Sequence, residues 1–250
     1  MEAYIEQDSK YVNSGNYRLY CNTNETLLSV KPRGIVVEFP GLGGGSCLGG
    51  TLEMVPYGGD YAKTLADSGL LLVYMFSGPW NWMNEGAARF TDLVLAALRE
   101  KFGLSGDVPV AATGGSMGGL AGLMFPALSK SNVVLSAVTC PCVDPEKSLF
   151  VDDVIPRSFL STLALFDKPL EDSLKEISPA AKVKMLPDIP YLILCDANDE
   201  LFPREDLEAF ATTLREKGRK VEFITMNGCR HGEFTPEARE RFTAFIIENI

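Results

Sequence analysis

Six short apolar runs, each followed by a stretch of helical character, restrict the fold of this chain more than any other feature. GIVVEF (34–39), LLLVYMF (70–76), VPVAAT (108–113), NVVLSAVTC (132–140), YLILC (191–195) and VEFITM (221–226) read as strands. Most are too continuously apolar to leave one face wet, so they are expected to be buried on both sides. Between them, DYAKTLADSG (60–69), NEGAARFTDLVLAALREKFG (84–103), MGGLAGLMFPALSK (117–130), REDLEAFATTLREKG (204–218) and PEARERFTAFIIEN (236–249) read as helices. Gly103 is a stop signal, Thr235 an N-cap with Pro236 at the first helical position, and Pro126 a site for a kink. Buried strands joined by helices predict an α/β fold: a mostly parallel sheet with helices on both faces.

Two stretches depart from this rhythm. KYVNSGNYRLYC (10–21) reads as a hairpin around NSGN. Residues 143–186 carry EKSLFVDDVIPRSFLSTLALF and EDSLKEISPAAKVKM, which read as short helices inserted between strands. With no internal repeat, low-complexity tract or linker, the expectation is one domain over 1–250 with a cap-like insertion at 143–186.

In a parallel sheet the ligand lies beyond the carboxyl ends of the strands, so site residues are sought just after them. TGGSMGG (113–119) follows a strand and opens a helix, and Gly114, Ser116 and Gly118 fit G-x-S-x-G. A serine on such a sharp turn presents its hydroxyl, and the next backbone N–H, that of Met117, points where an oxyanion would develop. Glycines that merely permit tight packing are the alternative. His231, the only histidine, sits in NGCRHGEF after the last strand; a lone histidine is more often structural, but its place suits a general base. DANDELFP (196–203) follows another strand. There Asp196, Asp199 and Glu200 either orient an imidazole or charge the start of the following helix. Asp199 has the longer reach into the loop, and Asp196 is the reserve.

The strand GIVVEF runs into PGLGGGS. A dinucleotide fingerprint needs G-x-G-x-x-G, and from Gly41 the last required glycine is replaced by Ser46. That reading also leaves Ser116, Asp199 and His231 unexplained. Taken in order, each after a strand, these three resemble the nucleophile, acid and base of the α/β-hydrolase superfamily, and the resemblance runs over nearly the whole chain. DANDELFP is similar to that family's G-x-x-D-x-x-V-P acid loop, which assigns the acid to Asp199; Asp196 stands where the family often has glycine. SPAAKVKMLPDIPYLILCDANDELFP is similar in style to dienelactone-hydrolase-like esterases and prolyl-oligopeptidase-type catalytic domains. The resemblance implies an eight-stranded-type sheet, a Ser116–His231–Asp199 triad and no cofactor or metal. It also implies an oxyanion hole from Met117 and Leu42, with Gly43 next, where PGLGGG replaces the HGGG of many esterases.

Three functions follow as expectations. The first is a carboxylesterase acting on small or medium substrates. The second is a peptidase of prolyl-oligopeptidase type, although that type carries a large further domain beyond this sequence; Asp152 and Asp153 are candidates to hold a peptide amine. The third is a non-catalytic ligand-binding protein. Trp80 and Trp82 lie after a strand, and Phe150 and Phe159, with Leu160, Leu163 and Phe166, lie in the insertion. They are candidates to line a substrate pocket, with ordinary packing as the alternative.

A net charge of −10 argues against nucleic-acid and anionic-membrane partners. No apolar run approaches the roughly 20 residues of a membrane span. MEAYIEQDSK has no secretory signal character, and the six cysteines show no disulfide spacing. A cytoplasmic chain with free thiols is expected. CPC (140–142) stands without a second cysteine pair, and the single histidine further argues against a zinc site.

Overall fold

Each of the six apolar runs contributes a strand to one sheet. The computed structural model describes residues 8–42, 58–76, 78, 80–164 and 166–250. Among them the strands are β1 (Cys21–Thr23), β2 (Gly34–Phe39), β3 (Leu70–Met75), β4 (Val110–Gly115), β5 (Val133–Thr139), β6 (Tyr191–Asp196) and β7 (Val221–Met226). They pair in the order β1-β3-β2-β4-β5-β6-β7, with β1 antiparallel to β3 and every other pair parallel.

The helices are α1 (Asp60–Asp67), α2 (Glu85–Phe102), α3 (Met117–Leu128), α4 (Ile155–Leu163), α5 (Leu170–Glu176), α6 (Arg204–Glu216) and α7 (Pro236–Asn249). Side chains of β2 to β7 divide between two cores. Ile35, Val37, Leu71, Val73, Val110 and Ala112 pack with residues of α2, α3 and α6 on one face. Val36, Leu70, Leu72, Ala111 and Leu135 pack with residues of α1 and α7 on the other. A period of two along buried strands therefore feeds both helical layers.

Local signals account for the helix ends. Asn84 accepts a hydrogen bond from the Ala87 N–H, and Gly103 closes α2 at φ 61°. Thr235 accepts from the Ala238 N–H, with Pro236 first in α7. Pro126 lies in the last turn of α3, which ends two residues later at Leu128.

The expected hairpin at 10–21 is not formed. Asn16 Oδ1 accepts from the Asn13 N–H, and Asn16 Nδ2 donates to the Tyr11 carbonyl. These bonds hold the segment in turns, and a 3-10 turn at Tyr17–Leu19 follows before β1 begins. Short polar side chains that bond the backbone compete with a strand ladder, and here they prevail.

The chain enters the sheet's centre at β2, lays β3 on one side and crosses back to place β4 on the other. The carboxyl ends of β2 and β4 thus flank the point where strand order reverses, the crevice in which open α/β sheets place ligands. The segment between β5 and β6 carries α4 and α5.

Candidate active site

Ser116 occupies the single position between β4 and α3, at φ 59° and ψ −122°. A left-handed non-glycine backbone costs on the order of 1–3 kcal/mol and persists only where neighbours enforce it. Those neighbours are identifiable. A Cβ on Gly118 would overlap the Phe39 carbonyl at the end of β2, and a Cβ on Gly114 would overlap the Gly118 carbonyl. The Ser116 N–H donates to the Thr139 carbonyl at the end of β5, 3.1 Å away. The two glycines of G-x-S-x-G thus let β2, β4 and α3 converge, and that convergence forces the serine turn. Met117 is the first residue of α3, so its N–H lacks an intrahelical acceptor.

Gly118→Ala is expected to lower stability by about 1–3 kcal/mol, the usual range for forcing an atom into a filled site. For a chain of this size that is a fall of about 2–4 °C in thermal midpoint per kcal/mol. An unchanged melting curve would show that the convergence is looser than described.

Asp199 lies after β6 with its side chain fully buried. Its Oδ1 accepts from the Leu201 and Phe202 N–H groups at 2.9 and 3.0 Å, and its Oδ2 lies 2.7 Å from His231 Nδ1. Burial alone would raise its pKa, but the bonds from His231, Phe202 and Leu201 prevail and hold it below the ordinary carboxylate range. Asp196 accepts from the Asn198 N–H and closes its own turn, and Glu200 is exposed. The loop therefore brings Asp199, not the reserve Asp196, to the imidazole.

His231 packs edge-on against Phe202 at 5.4 Å between ring centroids. Burial lowers its pKa, but Asp199 and the Cys140 sulfur beside it outweigh this and hold the ring up at about 9. Its Nε2 is buried and has no hydrogen-bond partner among the described residues. Ser116 and Nε2 are therefore not hydrogen-bonded to each other in this conformation. Ser116, Leu42 and His231 line one cavity of about 430 Å³. Gly43 lies outside the described residues.

The pocket wall differs from the expected one. Trp82 and Phe159 are fully buried and stack at 4.2 Å, and Trp82 Nε1 donates to Ser158 Oγ at 3.1 Å. They fasten the loop after β3 to α4 rather than line the cavity. Phe150 is 83% exposed and Trp80 38% exposed, and neither lines it. The wall is instead built by Glu38 and Tyr74 at the ends of β2 and β3, Leu201 after β6, and Asp152, Val154 and Ile155 from the segment between β5 and β6. Asp152 also accepts from the Val154 and Ile155 N–H groups at the start of α4. Glu38 and Tyr74 face each other across the β2–β3 pair, which strand register would have suggested. Nothing in the sequence marked Val154 or Ile155.

No protein-family model and no curated protein matches the chain. Solved structures do. The chain is similar to an acylaminoacyl peptidase of Pyrococcus horikoshii, at 18% identity over 88% of this chain and 37% of that one, with a TM-score of 0.60. It is similar to esterase B of Lactobacillus rhamnosis, at 18% identity over 88% of this chain and 77% of that one, TM-score 0.63. A third is a puromycin-hydrolyzing peptidase of Mycobacterium tuberculosis, at 16% identity over 88% of this chain and 34% of that one, TM-score 0.66. The chain spans little more than a third of the length of the two peptidases. At these identities the likeness is one of fold. Among the described residues no helix is long and apolar enough to cross a membrane.

Proposed function

The chain has the α/β-hydrolase fold, and on that fold we propose that it is a serine hydrolase cleaving carboxylic esters of small or medium substrates. One observation carries the reading: a backbone-strained serine after β4 shares a cavity with an imidazole whose far nitrogen is 2.7 Å from a buried carboxylate.

With its Nδ1–H donated to Asp199, His231 has its Nε2 lone pair free to take the Ser116 proton. Ser116 Oγ then attacks the ester carbonyl, and the Met117 and Leu42 N–H groups stabilise the oxyanion. His231 passes the proton to the leaving alcohol as the tetrahedral intermediate collapses to an acyl-enzyme. Water, deprotonated by His231, attacks the acyl carbon; collapse releases the acid and returns the proton to Ser116. Each oxyanion donor lost is expected to cost about 3–4 kcal/mol of transition-state stabilisation. The cavity volume suits a small to medium substrate.

A peptidase reading has one observation in its favour: the wall carries two acids, Glu38 and Asp152, which suit a substrate ammonium. A panel of p-nitrophenyl esters of increasing acyl length beside aminoacyl p-nitroanilides separates the two. Ester turnover that disappears in Ser116→Ala is expected; turnover of anilides alone would transfer the assignment to the peptidase.

The base must be unprotonated to act. Because the imidazole is held up at about 9, kcat/KM is expected to rise with pH and level off only above that value. Asp199→Asn removes the charge that stabilises the imidazolium, so its residual rate should level off at lower pH. A profile flat from neutral pH upward would contradict the raised value.

A further inference from the structure

One buried thiol beside the catalytic pair has no part in the mechanism. Cys140 follows β5, is fully buried, and is held at φ 44° with its N–H donating to the Leu194 carbonyl at 2.7 Å. Non-glycine residues in this backbone region concentrate at functional sites. The Cys140 Sγ, an Asp199 carboxylate oxygen and a His231 ring nitrogen all lie within 4.8 Å of one another. The cysteine, acid and histidine come from the ends of β5, β6 and β7, far apart in sequence. Motif spacing therefore argued against a zinc site, whereas the topology assembles three ligands.

We propose that Cys140, Asp199 and His231 form a binding site for a thiophilic divalent cation of the zinc type, and that occupying it switches hydrolysis off. Thiolate, imidazole and carboxylate are the donors such an ion takes, at about 2.0–2.3 Å each in a tetrahedron. That geometry sets the donors about 3.5 Å apart, so shifts on the order of 1 Å form the site: the cysteine sulfur draws in, and the Asp199–His231 contact, now 2.7 Å at Nδ1, opens if that nitrogen binds. His231 lines the substrate cavity, which supplies an entry path and room for water as the fourth ligand. On binding, the thiol proton leaves to solvent, the carboxylate exchanges its bond to the imidazole for the ion, and no electrons are transferred.

Inhibition follows whichever ring nitrogen binds. Ligation through Nε2 occupies the lone pair that must take the Ser116 proton. Ligation through Nδ1 leaves the ring proton on Nε2, with the same result. This consequence rests on the proposed hydrolase function; the binding does not.

The test is a titration of the full chain with Zn²⁺ by calorimetry and with Co²⁺ by absorption, where a thiolate-to-cobalt band reports the sulfur directly. One ion per chain and a thiolate band are expected in the wild type and in Cys229→Ala, whose thiol is partly exposed nearby in the loop after β7. Losing an outer-shell partner typically weakens a metal by about 10–100-fold. Cys140→Ala, which also loses the band, and His231→Ala are therefore each expected to weaken Zn²⁺ by at least about tenfold. The His231 variant keeps the test valid if the buried cysteine replacement fails to fold. Equal affinity in both variants, or no thiolate band, would overturn the site. Binding as described with no ester turnover by metal-free protein would instead count against the hydrolase reading and leave the site standing. Binding with undiminished ester turnover would overturn the switch.

Discussion

Ser116→Ala is expected to lower kcat for ester hydrolysis by about a millionfold while leaving the fold intact. The magnitude is that of removing the nucleophile from a serine–histidine–aspartate enzyme, where the members act as one unit. The substitution removes one oxygen and adds no atom, so the melting curve should change little. KM should also change little, because the cavity wall is built by other residues: Glu38, Tyr74, Val154, Ile155 and Leu201. What remains above the uncatalysed rate would come from Met117, Leu42 and substrate positioning. Steady-state kinetics with active-site titration, to exclude wild-type carry-over, measures it. A loss of less than about tenfold would mean that the chemistry does not pass through this hydroxyl.

Asp199→Asn is expected to lower kcat about ten-thousandfold. The carboxylate now fixes the ring proton on Nδ1 from 2.7 Å. An amide in the same place offers an N–H to that nitrogen, which drives the proton to Nε2 and leaves nothing to accept the Ser116 proton. Asp196→Asn makes the contrast. Asp196 closes its own turn through the Asn198 N–H, so that variant should retain most of the activity. Equal losses in the two variants would mean that the loop, not the hydrogen bond, is what matters.

The fold was largely legible because its strands announce themselves. Runs such as LLLVYMF and YLILC admit little besides a strand buried on both faces, and the helices between them carry their own stop and cap signals. The position of Ser116, Asp199 and His231 was legible for a related reason: a parallel sheet gathers its strand ends along one edge, and few chemically competent residues stand there. Asp199 and Asp196 were separable only by reach, and the structure shows the physical difference. One faces the imidazole and the other its own turn.

What was not legible depends on which way a side chain turns. Trp82 and Phe159 have the composition of a pocket wall, but they stack on each other inside the body of the protein. Periodicity does not distinguish an aromatic that fastens two segments together from one that faces a cavity. The N-terminal segment has strand-like residues, yet the Asn16 side chain bonds its backbone into turns. Cys140 looked like half of a CPC pair and proved to stand beside residues some sixty and ninety positions away.

The central claim is that Ser116 is an activated nucleophile, and the most direct measurement is intact mass after incubation with a fluorophosphonate probe, which reacts with such serines irrespective of natural substrate. One adduct is expected on the wild type, none on Ser116→Ala, and a much slower one on His231→Ala. Unmodified wild-type protein with an intact melting transition, or an adduct that persists in Ser116→Ala, would contradict the account.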